Sequence, residues 1–146
     1  MKISKENIED LEKKLSFKFD NYYHNFLTNN QNTHSAYYLM DITNLDGYKD
    51  TYEFYRFTQV LGNRNDELIL DYTQRYQNEK RILNYFIVVG ITSCGSLILL
   101  NKKNNKIYFW DRDFEVSDGE EPTEENCYLI ANDFQDFFEN TLYEDE

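Results

Sequence analysis

Residues 85–111, YFIVVGITSCGSLILLNKKNNKIYFWD, limit what this chain can fold into more than any other stretch. They hold three apolar runs, 85–91, 96–101 and 106–111, separated by the polar breaks 92–95 and 102–105. Each run is strand-length, rich in Val, Ile, Leu, Phe and Tyr, and too short for a typical helix. The breaks carry the Gly, Ser and Asn residues that tight turns require. The stretch therefore predicts a three-stranded antiparallel meander whose central strand is apolar on both faces. Such a strand must be covered by helices on at least one side.

The flanking sequence supplies those helices. Ser4 can cap a helix over 5–15, in which Ile8, Leu11 and Leu15 make one apolar stripe. Asp20 can cap a second helix over 21–29, with Tyr22, Tyr23, Phe26 and Leu27 on its apolar face. Segments 36–42 and 51–58 read as strands, and Asp46-Gly47 marks a turn between them. A third helix is expected over 66–80, with Leu68, Tyr72 and Tyr76 recurring every four residues beside Ile69. Asp66 and Glu67 stand near its start and Lys80 and Arg81 near its end, as the helix dipole favours. Residues 127–130 are a short strand candidate. A last helix is expected over 133–143, capped by Asn132 with Gln135 three residues on. Its buried stripe would be Phe134, Phe137, Phe138 and Leu142, and the tail 144–146 should fray. The pattern predicts one α+β domain over residues 1–146. Its single, mainly antiparallel sheet of about five or six strands is flanked by the N-terminal helices, a middle helix and the C-terminal helix.

A chain of 146 residues buries roughly two-thirds of its unfolded surface, so it needs neither disulfide nor metal to hold a core. Its 40% hydrophobic and 17% aromatic content is too apolar for a disordered chain. The net charge of -12 repels nucleic-acid backbones and anionic membranes, so neither is expected as a partner. Charge alone leaves two readings open, simple solubility or a basic partner. Cys94 and Cys127 show no CxxC spacing. The opening MKISKENIED has no apolar signal region, which predicts a cytoplasmic protein with reduced thiols. The longest apolar run is far short of a membrane span.

Chemistry-bearing motifs are missing. The sequence has no P-loop, GxGxxG, HExxH or GxSxG, and GITSCG at 90–95 puts Thr92 where a nucleophile elbow needs serine. His24 and His34 are the only histidines; a pairing with Cys94 is the enzymatic alternative to Cys94 as a space-filling turn residue. Residues from Asp111 begin like a calcium loop, but Val116 stands where its glycine belongs and Pro122 where its bidentate glutamate belongs. No catalytic, cofactor or metal site is expected. The segment 111–125 is strongly acidic, with Arg112 as its one compensating charge within the segment. It reads as a solvated loop or as a docking surface for a basic partner. Trp110 reads as packing at the core rim, with a binding anchor as the alternative.

The ordered set of segments resembles the SUKH superfamily of fungal cell-wall-synthesis regulators and bacterial immunity proteins. Leu15-Ser16-Phe17-Lys18-Phe19 with Tyr23, Phe26 and Leu27 matches its first motif. Residues 86–90, 95–100 and 107–111 match its central strands, and 131–138 its closing helix. The sequence departs where the family proline is replaced by Asp20, and where Asn29-Asn30-Gln31-Asn32 lacks glycine; 33–80 match loosely. The resemblance implies an immunity protein, not an enzyme, that binds and neutralises a cognate, basic, nuclease-type protein toxin; a monomer is expected, with an oligomer as the alternative. It carries over no catalytic or contact residues. The charge then places the expected partner surface at Trp110, Asp111, Asp113, Glu115, Glu120 and Glu121, which could cover a substrate groove by mimicking phosphate charge. The alternative the resemblance implies is a regulatory interaction module. The chain lacks the long disordered flanks expected of fungal members, which favours the bacterial reading.

Overall fold

A computed structural model describes residues 2–29, 37–63 and 67–144. The elements are α1 (Lys5–Leu15), α2 (Asn21–Asn29), β1 (Tyr38–Thr43), β2 (Lys49–Phe57), α3 (Ile69–Asn78), β3 (Phe86–Thr92), β4 (Leu97–Asn101) and β5 (Ile107–Trp110). A 3-10 turn (Arg112–Phe114), β6 (Cys127–Ala131), α4 (Phe134–Asp136), a π turn (Phe137–Thr141) and β7 (Tyr143–Glu144) complete the order. The strands form one antiparallel sheet in the order β6-β5-β4-β3-β2-β1-β7. Every strand from β1 to β5 thus pairs with its successor, and β7 returns to the far edge beside β1. The α+β class and the single sheet match the expectation. The count of seven strands exceeds it, because Tyr143 and Glu144 pair with Leu39 and Tyr38 instead of continuing a helix.

The meander falls where the sequence put it, within one residue at each end, and every residue of β3 and β4 is buried. Alternation divides their side chains between two cores. Ile87, Val89, Ile98, Leu100, Ile107 and Phe109 face α1, α2 and α4. Phe86, Val88, Leu97, Leu99 and Trp110 face the α3 side. A bulge lies between Val88 and Gly90. A Cβ on Gly90 would sit 2.7 Å from the Phe54 ring and 3.3 Å from Ile98, so only glycine lets β2 approach there.

Ser4 and Asn7 form the cap of α1 and Asp20 caps α2, its Oδ1 accepting from Tyr23 N–H at 2.8 Å. The buried stripe of α3 is Ile69, Thr73 and Tyr76, one position on from the expected Leu68 and Tyr72. A threonine belongs there because β2 ends at Phe57. The backbone of Val88 then bonds to side chains: its N–H donates to Thr73 Oγ1 at 3.0 Å, and its carbonyl accepts from Thr58 Oγ1 at 2.8 Å. Asp66, placed at the start of that helix by the sequence, lies outside the described residues, as does Ala36 of the first strand.

The C-terminal helix corrects the expectation most. Asp133, not Asn132, is the cap: its Oδ1 accepts from Asp136 N–H at 2.8 Å, and Asp136 Oδ2 accepts from Asn132 N–H at 2.9 Å. One turn later the helix widens to a π turn, closed by Leu142 N–H on the Phe137 carbonyl at 3.0 Å. Phe134 and Phe137 both lie in the core, and the widened turn that follows leads Tyr143 into β7.

A candidate partner-binding surface at the exit of the meander

Trp110 ends β5 and Asp111 follows it, each at 1% exposure. This corrects their expected place on the partner surface, since neither presents its side chain to solvent. Trp110 instead forms a floor. The Tyr76 ring meets it edge-on at 5.8 Å, and the Arg81 guanidinium lies 4.4 Å from the Tyr76 ring centre and 5.5 Å from that of Trp110. Arg81 reaches this position through the turn that ends α3. Lys80 takes a left-handed conformation, φ 60°, and Arg81 N–H donates back to the Tyr76 carbonyl at 2.8 Å.

From that floor Arg81 holds the acidic loop. Its Nε and Nη2 donate to the two oxygens of Glu115 at 2.8 and 3.1 Å, a bidentate pair. Lys80 Nζ reaches Glu121 at 3.1 Å. The loop is thus compensated by cations from the end of α3 as well as by Arg112, a link between distant segments that sequence spacing does not reveal. The groove between the two, about 470 Å³, is lined by Glu79, Lys80, Arg81 and the backbone course from Glu115 to Glu120. Arg81→Ala should lower stability by about 1–2 kcal/mol, from the lost ring contact and half-buried ion pair. It should also raise amide exchange across 115–121, measured by mass spectrometry. Arg81→Lys should not restore the loop, because a point charge cannot make the two parallel bonds.

Asp111 anchors the start of the loop. Its Oδ1 accepts from Asp113 N–H at 3.0 Å and its Oδ2 accepts from the Tyr128 hydroxyl at 2.7 Å. That hydroxyl in turn accepts from Leu45 N–H at 3.1 Å, so the tip of the β1–β2 hairpin is tied across to β6. Burial first, and the Asp111 bond second, push the Tyr128 phenol well above its ordinary pKa. Burial, then the nearby Asp111, Asp50, Cys94 and Asp113, push Tyr52 up to about 12. Arg112 N–H donates to Ser96 Oγ at 3.1 Å and its Nη1 to the Cys94 carbonyl at 3.3 Å. Gly95, with φ 91°, leaves the space that Arg112 occupies.

Of the remaining predicted contact residues, Asp113, Glu120 and Glu121 are exposed and Glu115 is half-buried in its pair with Arg81. They lie along one loop, though Glu115 and Glu121 are partly spent on Arg81 and Lys80. Charge is more polarised than the loop alone indicates. Of 27 acidic residues 14 follow Trp110, but only one of 15 basic residues does, so the segment 111–146 holds the whole net negative charge.

Among the described residues no group of three or more His, Cys, Asp or Glu could hold a metal ion. His24 sits half-buried in α2, while Cys94 is exposed in the β3–β4 turn; His34 lies outside the described residues. No helix of the described residues is long and apolar enough to cross a membrane. Burial, reinforced by Glu124, pushes the Cys127 thiol up to about 12. A maleimide at neutral pH should therefore label Cys94 within minutes and leave Cys127 unmodified until the protein is unfolded, as peptide mapping would show.

The order of motifs and the fold agree with a comparison against protein families. The profile of the SMI1 / KNR4 family (SUKH-1) matches residues 2–140. This chain belongs to that family. No individual curated protein matches the chain closely enough to count as a relative. Within the SUKH-1 frame the first motif lies on α1 and α2, the central motif on β3–β5, and the closing motif on β6 and α4.

Proposed function

We propose that this chain is an immunity protein that neutralises a cognate, nuclease-type protein toxin in the cytoplasm by stoichiometric binding, without catalysis. The observation that carries the reading is the polarised charge of a SUKH-1 chain, with its entire excess of acid in 111–146. A nuclease presents a basic groove to its substrate, and an acidic surface on a rigid sheet is steered to such a groove. Asp113, Glu120 and Glu121, with Asp118, Glu124 and Glu125, supply the complementary charge, while Arg81 and Asp111 hold their loop in shape. The bound protein would then exclude nucleic acid from the groove.

The test is co-expression with the protein encoded immediately upstream. Rescue of growth and a co-purifying one-to-one complex are the expected result. Association should slow as salt rises, and slow again in Asp113→Asn/Glu120→Gln/Glu121→Gln. Absence of both rescue and complex would favour the second reading, a regulatory interaction module. That reading draws on the SMI1 / KNR4 match itself, since the superfamily holds cell-wall-synthesis regulators beside immunity proteins.

A further inference from the structure

β6 closes one edge of the sheet, and β7 at the other edge is only two residues long. Natural sheets blunt a solvent-facing edge with internal charges, proline or brevity. β6, Cys127-Tyr128-Leu129-Ile130-Ala131, has five residues, no charge and no proline, and the bulge in its pairing with β5 falls beyond Leu129, where Ala131 meets Ile107. Besides its ladder to β5, two groups reach its backbone among the described residues. The Glu124 carbonyl accepts from Cys127 N–H at 2.9 Å, and the Thr141 hydroxyl donates to the Ile130 carbonyl at 3.3 Å. Cys127 N–H therefore points away from β5, and the two-residue period of a strand turns Leu129 N–H the same way. Leu129 is itself 53% exposed.

Charge says what can lie along this edge. Glu124 and Glu125 precede the strand, and Asp133 follows it. A second copy laid antiparallel across Leu129 would oppose Glu125 to Asp133 at both ends, a like-charge pairing that destabilises a ladder. A strand bearing cations at its ends would meet carboxylates instead, with the Leu129 side chain as the apolar contact between them. We propose that β6 is a docking edge that takes an extended, lysine- or arginine-bearing segment of a partner protein as an added strand. This rests on the reading that the chain acts by binding a basic protein, and it moves the centre of that contact from the loop to the strand behind it.

The probe is a fluorescein-labelled peptide of about ten residues alternating Lys and Val, long enough to span an edge strand. A peptide of equal charge alternating Lys and Pro is the control, since proline supplies no ladder donors. Fluorescence anisotropy at low salt should give at least about tenfold tighter binding of the Lys-Val peptide. Leu129→Pro, which removes an outward N–H, and Leu129→Lys, which keeps it but adds an edge charge, should each abolish that preference. Circular dichroism of both variants reports whether they fold; Leu129→Lys reads the result if Leu129→Pro does not. Equal binding of the two peptides, no binding of either, or indifference to Leu129→Lys would overturn the proposal. So would a concentration-dependent dimer that Leu129→Lys dissolves, which would assign the edge to a second copy. Growth rescue that survives Leu129→Lys overturns the docking edge and leaves the immunity reading standing. Absent rescue by the unaltered chain, with peptide preference intact, does the reverse.

Discussion

Phe134→Ala should cost about 3–5 kcal/mol, enough to bring a domain of ordinary stability close to unfolding. Phe134 is 1% exposed and is the hub of the aromatic core. Its ring lies 4.4 Å from that of Tyr23, 4.8 Å from Phe26 and 5.8 Å from Phe57, and touches Phe137 and Phe138 on its own segment. Those partners come from α2, β2 and the π turn, which are tied down on separate elements, so the space cannot close by one local shift. Tyr23 is the sharpest case: it is fully buried and its hydroxyl has no hydrogen-bond partner among the described residues, so its ring is held by packing. Urea unfolding would measure the loss as a lower midpoint at unchanged slope. A loss under about 1.5 kcal/mol would mean the neighbouring rings re-pack, and that α4 is not the clasp between α2 and the sheet.

The sheet interior was legible in the sequence because burial on both faces leaves no polar alternation to misread. The runs 85–91 and 96–101 read as strands because they are short, apolar and rich in β-branched residues, and the Asn, Gly and Ser breaks marked the turns. Amphipathic α1 and α2 were legible for the complementary reason, a stripe with a solvated back. What was hidden depends on tertiary partners. Thr73 replaces an apolar residue in the stripe of α3 because the Val88 backbone needs its hydroxyl, which no local pattern announces. The π turn hides as well, since Phe134, Phe137, Phe138 and Leu142 fit an ordinary helix equally well by spacing.

The same distinction explains the candidate surface. The acidic run after Asp111 was visible as composition, so Asp113, Glu120 and Glu121 were found as exposed charge. Trp110 and Asp111 were adjacent in sequence to that run and were read with it. Strand alternation sends Trp110 to the α3 side, where Tyr76 and Arg81 cover it, and the Tyr128 hydroxyl draws Asp111 inward. Arg81 and Lys80 were read only as dipole partners of a helix end. Their pairing with Glu115 and Glu121 spans more than thirty residues of sequence and carries no local signal.

Asp111→Ala should destabilise the protein by about 3 kcal/mol, far more than any exposed acid of the loop. Its carboxylate accepts two hydrogen bonds, from Asp113 N–H and the Tyr128 hydroxyl, and a bond to a charged group is worth about 1.5–3 kcal/mol net. Alanine removes both at a position 1% exposed, where water does not readily replace them. Asp111→Asn should cost less, about 1 kcal/mol, because its amide oxygen can keep one bond while the Tyr128 hydroxyl, already accepting from Leu45, can accept once more. Asp113→Asn should be within about 0.5 kcal/mol of the parent, as for most surface changes. Guanidinium unfolding of the three variants orders them, and limited proteolysis reports where the loss acts. Cleavage should rise within 112–126 and at the β1–β2 hairpin tip together in Asp111→Ala, since Tyr128 couples the two. Equal stability of Asp111→Ala and Asp113→Asn would mean that the loop is held by Arg81 alone. In that case the acidic surface would be anchored at its middle and free at its root, and charge at 113 could not be presented to a partner in a fixed place.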